Sequence, residues 1–177
     1  MFQIIDKKSL FLNQSTYFII KITNLMMDAI DKKLLVYLQN DSRQTTKQLS
    51  ILLNLSPTAV YERIKKLEKA EVISKYVALL NPKKIERDFI VICQVRLVHH
   101  HKNAIKEFEA EVKLLPEVLS CYHISGEYDY VLKVCLKDME EYRDFIANKL
   151  TGLKHIGSTH SNFVIAEVKQ SSVFDIK

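Results

Sequence analysis

Apolar positions recur at two different periods along the chain, and the change of period divides it. Between Asp28 and Ile73 the spacing is helical. Ile30, Leu34, Tyr37 and Leu38 share one side of a first helix that Asp28 caps and that ends near Asn40. Thr45-Thr46-Lys47-Gln48 reads as a capping box opening a short helix that carries Leu49, Leu52 and Leu53. Asn54 tolerates the left-handed conformation of a tight turn, Ser56 can cap the next helix, and Pro57 fits its first position. In that third helix Val60, Ile64 and Leu67 form an apolar stripe. Thr58, Glu62, Lys65 and Lys69 point the other way, flanked by Tyr61 and Lys66. Short helix, tight turn and capped basic helix make a helix-turn-helix braced by the first helix.

From Asp88 the pattern becomes alternation broken by helical stretches. Phe89, Val91, Cys93, Val95 and Leu97 alternate along a strand; Ile105, Phe108, Val112 and Leu115 follow at helical spacing, and Pro116 stops them. A strand over 118–124, a turn at Ser125-Gly126-Glu127, a strand over 130–136, a helix bearing Met139, Tyr142, Phe145, Ile146 and Leu150, and a last strand over 161–169 complete βαββαβ. The expected class is α+β: a three-helix winged helix-turn-helix followed by a ferredoxin-like βαββαβ domain. Ile90, Ile92 and Val98 are apolar on the other alternation, which predicts that a second subunit covers the open face of the sheet.

The boundaries that follow are an extension over 1–27, the helix-turn-helix over 28–73, an extended linker over 74–87, the ferredoxin-like domain over 88–170 and a tail over 171–177. The extension has broken apolar patches and no cleavage site. A poorly ordered tail, an added strand or helix, and a stretch ahead of a start at Met26 or Met27 all remain open for it.

Charge separates the halves. The net +5 divides into +2 over residues 1–27, +3 over 28–80 and zero over 81–177, so phosphate contacts belong to the N-terminal side. No run approaches the roughly 18 apolar residues of a membrane span. Cys93, Cys121 and Cys135 sit in apolar runs without metal-ligand spacing, which predicts buried free thiols, a reducing compartment and hence the cytoplasm. His99-His100-His101 looks like a metal cluster, but three consecutive residues at a strand end alternate in direction, so an exposed loop is the better reading. No nucleophile and base at motif spacing, phosphate loop or metal set is present, which ranks a small-molecule enzyme below a DNA-binding protein.

The chain from Asp28 to about Lys169 resembles the Lrp/AsnC (leucine-responsive regulatory protein) family of transcription regulators. The resemblance rests on Asp28-x-x-Asp31-x-x-Leu34-Leu35, Asn40-Asp41-x-Arg43, Leu55-Ser56-Pro57-Thr58-x-Val60-x-x-Arg63-Ile64-x-x-Leu67-Glu68, Val72-Ile73-x-x-Tyr76, Gly126-Glu127-Tyr128-Asp129, and Ile156-x-x-Thr159-x-Ser161-x-Phe163-Val164-Ile165-x-x-Val168-Lys169. It implies no enzymatic activity, double-stranded DNA as partner, homodimers often assembling to octamers, and an amino-acid effector bound between C-terminal domains, with no cofactor or metal. It also implies that Ser56, Thr58, Tyr61, Arg63, Lys65 and Lys66 face DNA. Gly126, Tyr128, Asp129, Thr159 and Ser161 would match the effector pocket.

The residues themselves suit an amino acid. Gly126 permits a turn that brings N–H groups to a carboxylate, Asp129 offers a partner for an ammonium group, and hydroxyls at Thr159 and Ser161 share a strand face. Gly-Glu-Tyr-Asp is equally a hairpin turn. A departure lies at Glu71, where the family commonly has Gly, so a left-handed cap there would be strained. An architectural DNA-binding protein without an effector is the alternative within the same reading.

Overall fold

The computed structural model describes residues 27–176. The extension expected over 1–27 therefore lies, Met27 apart, outside the described residues. Chain contacts divide the rest into a helical unit, residues 27–78 with 170–176, and a sheet unit, residues 79–169.

In the helical unit, α1 (Ala29–Asn40) starts with a capping box. The Asp28 carboxylate accepts from the Asp31 N–H at 2.8 Å, and the Asp31 carboxylate from the Asp28 N–H at 3.4 Å. α2 (Thr46–Leu53) opens on the Thr45–Gln48 box, and Asn54 turns the chain at φ 53°. α3 (Pro57–Lys69) follows, Ser56 Oγ accepting from the Ala59 N–H at 3.1 Å. Leu34, Leu35 and Leu38 of α1, Leu49 of α2, and Val60 and Leu67 of α3 form the buried centre, with Leu53 and Ile64 packed against it.

α3 ends in a Schellman motif. The Val72 N–H donates to the Leu67 carbonyl and the Glu71 N–H to the Glu68 carbonyl, both at 3.0 Å. Glu71 holds the left-handed position at φ 58°, so the helix keeps its turn and the glutamate bears the strain.

Residues 74–81 take no strand pairing among the described residues. The linker then departs from the extended form expected over 74–87, because Pro82–Ile85 closes a short 3-10 turn. Pro82 supplies the φ such a turn needs, and the Asn81 side chain accepts from the Lys83 N–H at 3.1 Å. The tail belongs to the helical unit. The Gln39 amide accepts from the Phe174 N–H at 2.8 Å and donates to its carbonyl at 3.3 Å, and Ile176 packs against the helical core.

The sheet unit holds β1 (Phe89–Leu97), α4 (Lys102–Val112), β2 (Val118–His123), β3 (Tyr130–Leu136), α5 (Met139–Asp144) continued by a π-helical stretch over Phe145–Leu150, and β4 (Ile156–Phe163). The strands are antiparallel in the order β2-β3-β1-β4. Val91, Cys93, Val95 and Leu97 of β1 and Tyr130, Leu132, Val134 and Leu136 of β3 pack with Phe108, Val112, Phe145 and Leu150 from the helices. Ile90 and Ile92, on the other alternation, stay partly exposed.

The last strand differs from the expected 161–169. β4 runs from Ile156 to Phe163 because its ladder is with β1, and Val164 N–H donating to Ile90 O at 3.0 Å is where that partner runs out. The β-rich residues 164–168 lie past the end of the partner strand; pairing overrides propensity. Of the three free thiols, Cys93 and Cys135 are buried as expected, whereas Cys121 on β2 is exposed.

Candidate nucleic-acid interface and ligand turn

α3 presents two flanks on either side of its buried stripe. Taking about 100° per residue from Val60, Arg63 falls about 60° to one side of the stripe and Lys66 about 120°, while Tyr61 and Lys65 fall at about 100° and 140° on the other. The first flank faces α1. Arg63 Nη1 lies 2.6 Å from Asp31 Oδ1 and 2.8 Å from Asp28 Oδ2, and Lys66 Nζ lies 3.0 Å from Asp31 Oδ2. The Asp31 side chain is 0% exposed, against 26% for Arg63 and 44% for Lys66. Burial pulls the Asp31 carboxyl upward, but the hydrogen bonds from Lys66, Arg63 and the Asp28 N–H outweigh it and hold the group below the ordinary aspartate range.

Arg63 and Lys66, which the resemblance places toward DNA, are thus engaged with α1 in this structure. Both side chains reach back to a buried carboxylate on α1, 32 and 35 residues away in sequence. Ser56, Thr58, Tyr61 and Lys65 are exposed on the outward side, as are Glu62 and Lys69. Lys65 Nζ sits 5.7 Å from the centre of the Tyr61 ring and 2.8 Å from Glu68 Oε2. Lys69 points outward by helical spacing but stands outside the DNA-facing set that the family resemblance implies, although it continues the Thr58-Glu62-Lys65 row by one turn.

The second constellation is the turn between β2 and β3. Gly126 adopts φ 131°, and nothing lies within 4 Å of the place a Cβ would take, so conformation and not crowding requires glycine there. Arg96 of β1 grips the turn, donating to the Glu127 carbonyl at 3.0 Å, pairing with its carboxylate at 3.2 Å and covering the Tyr128 ring at 5.5 Å. Asp129 is bound on three sides. Its N–H donates to Val95 O at 2.9 Å, its Oδ2 accepts from the Leu97 N–H at 2.7 Å, and its carboxylate meets His100 Nε2 at 3.0 Å.

Gly126, Tyr128 and Asp129 therefore meet in one turn, but Thr159 and Ser161 do not join them. Thr159 opposes Val95 and Ser161 opposes Cys93, and opposed residues share a sheet face, so both hydroxyls lie on the helix-covered side. There Ser161 Oγ contacts Cys93 Sγ at 3.4 Å. Tyr128 lies instead beside Arg96 and His160, of the opposite alternation, its ring 6.3 Å from the His160 ring. The histidine run also has separate employments. His101 Nδ1 accepts from the Ala104 N–H at 3.1 Å and caps α4, while His100 pairs with Asp129. Among the described residues no three ligating side chains are placed to hold a metal ion.

Residues 27–74 match the model of the winged helix-turn-helix DNA-binding family, and residues 90–174 the Lrp/AsnC ligand binding domain. The leucine-responsive regulatory protein of Haemophilus influenzae is 38% identical over 154 residues, 87% of this chain and 93% of that one. The chain belongs to the Lrp/AsnC family. A leucine-responsive regulatory protein from Escherichia coli strain K12 is 35% identical over 85% of this chain and 92% of its own length. Among solved structures, a transcriptional regulator from Neisseria meningitidis in complex with L-Met superposes with a TM-score of 0.80 at 33% identity, covering 85% of this chain and 97% of that one. An AsnC family transcriptional regulator from Agrobacterium tumefaciens gives 0.80 at 32% identity, over 84% and 97%. This Lrp/AsnC chain is thus a transcriptional regulator with a DNA-binding helix-turn-helix and a ligand-binding domain. No described helix is long and apolar enough to cross a membrane.

Proposed function

We propose that this Lrp/AsnC regulator engages double-stranded DNA through the outward side of α3 and responds to an amino acid bound at the β2–β3 turn. The observation that carries the first part is that α3 buries Val60 and Leu67 while leaving Ser56, Thr58, Tyr61 and Lys65 exposed on a helix with a capped N-terminus. Hydroxyls, an aromatic ring and a lysine suit base edges on the floor of a major groove and phosphates along its walls. Paired copies of α3 then read half-sites one helical turn apart or a multiple of it, which requires a homodimer, with octamers built from dimers. Such a regulator works in the cytoplasm and catalyses nothing.

The second part is supported by the L-Met complex of the Neisseria meningitidis relative and by the form of the turn. The exposed turn at Gly126, with φ 131° and with Arg96 over the neighbouring Tyr128 ring, suits backbone N–H groups to take a carboxylate. Asp129, its carboxylate committed to Leu97 and His100, holds the turn to β1. Thr159 and Ser161 lie on β4 beside β1 and face the helix-covered side of the sheet.

The test combines fluorescence anisotropy, using a duplex from the region upstream of the chain's own gene, with calorimetry over a panel of amino acids. Salt-dependent duplex binding and heat from at least one amino acid are expected. Absence of duplex binding overturns the first part; no heat with any amino acid overturns the second and leaves an architectural protein.

A further inference from the structure

Cations on a recognition helix are ordinarily counted as phosphate contacts, yet the basic residues of α3 do not have equal freedom. Arg63 and Lys66 converge on Asp31, a carboxylate with no exposed surface, each through one of its oxygens. Asp28 adds a third ion pair at 2.8 Å to Arg63. Asp28 and Asp31 are also the capping box of α1, each side chain accepting from the other's N–H, so both carboxylates are oriented by α1 itself as well as by the cations. Removing either cation from Asp31 would leave charge on a buried carboxylate with one partner fewer, a cost that a solvent-exposed phosphate contact does not readily offset. Lys65 and Lys69 are in the opposite situation. Lys65 is tied to a partly exposed Glu68 one turn away, a weak surface pair, and both lysines lie on the row that begins at Thr58.

We infer that Asp31 is a positioning residue for DNA reading: it withdraws Arg63 and Lys66 from the phosphate-contacting set, uses them to fix α3 against α1, and leaves Lys65 and Lys69 to supply that helix's salt-dependent affinity. The inference rests on the reading that α3 engages the duplex. Contacts to phosphate release counterions and appear in the slope of affinity against salt, whereas a residue that only orients the helix changes affinity without changing the slope. The two roles therefore separate in a single measurement.

The experiment titrates the full chain onto a mixed-sequence duplex over a potassium chloride series, for the wild type and for Lys65→Met, Lys69→Met, Lys66→Met and Arg63→Met. Methionine keeps the apolar stem and removes the charge. Lys65→Met and Lys69→Met are expected to flatten the log–log slope by about 0.9 for each phosphate they cease to neutralise, with unchanged thermal midpoints. Arg63→Met and Lys66→Met are expected to keep the wild-type slope while lowering the midpoint, and Arg63→Lys, which retains a charge for Asp31, to recover part of that decrease. A slope that flattens with Lys66→Met or Arg63→Met as much as with Lys65→Met overturns the inference. Should Arg63→Met fail to fold, Lys66→Met decides by the same reading. A wild-type chain with no salt-dependent binding refutes instead the reading that α3 engages a duplex.

Discussion

Asp31 ties ionisation to the stability of the helical unit. Its folded carboxyl titrates below the ordinary range, so the unfolded chain takes up the proton first as pH falls. The stabilisation from its ion pairs is complete above the unfolded value of about 4 and drains away as pH drops through the lower folded value. Asp31→Asn should cost the helical unit about 2 kcal/mol at neutral pH and flatten its acid-induced destabilisation, leaving the shares due to Asp28, Asp41 and Glu68; urea melts at several pH values check this. Glu71 works in the opposite sense. A side chain at φ 58° is strained, and Glu71→Gly should raise stability by about 1 kcal/mol, read as an upward shift in the thermal midpoint of the helical unit. These residues differ in how far the sequence disclosed them. Ser56, Thr45 and Asn54 act within three or four positions, and their roles follow from local hydrogen bonding alone. The second half of the α1 capping box was equally local, since Asp31 stands three residues after Asp28, but the destination of Arg63 and Lys66 depends on a contact more than thirty residues away.

At the scale of elements, periodicity located the three helices because each buries one stripe against the other two. Val60 is fully buried at the centre of that packing, and Val60→Ala should cost about 2 kcal/mol, measured as a lower urea midpoint with no change in the sheet unit. Alternation located β1, β2 and β3 but misplaced β4. Gly157, Ser158 and His160 lack strand-like composition, and they pair because β1 extends opposite them, whereas Val164 to Val168 has the composition and no partner strand alongside. Register also decided which side chains lie beside the β2–β3 turn. The two-residue spacing put Thr159 and Ser161 on a common face, as the sequence implied; which face depended on their partners Val95 and Cys93.

For the whole molecule, the charge asymmetry agrees with a division of labour between a DNA-binding helical unit and a neutral ligand-binding unit. The tail adds a connection that composition could not reveal, because Phe174 completes its hydrogen bonds with the side chain of Gln39 in α1. Deleting residues 170–177 should lower the thermal midpoint of the helical unit by several degrees, corresponding to about 1 kcal/mol, and leave the sheet unit unchanged. The central claim is that the outward side of α3 meets the duplex. Its most direct test is the affinity of the Thr58→Ala, Tyr61→Ala, Lys65→Ala triple variant for the duplex upstream of the chain's own gene, compared with wild type at one salt concentration. A decrease of about a hundredfold or more, with the thermal midpoint preserved, is predicted from several base and phosphate contacts worth about 1 kcal/mol or more each. Wild-type affinity in a folded triple variant would contradict the account.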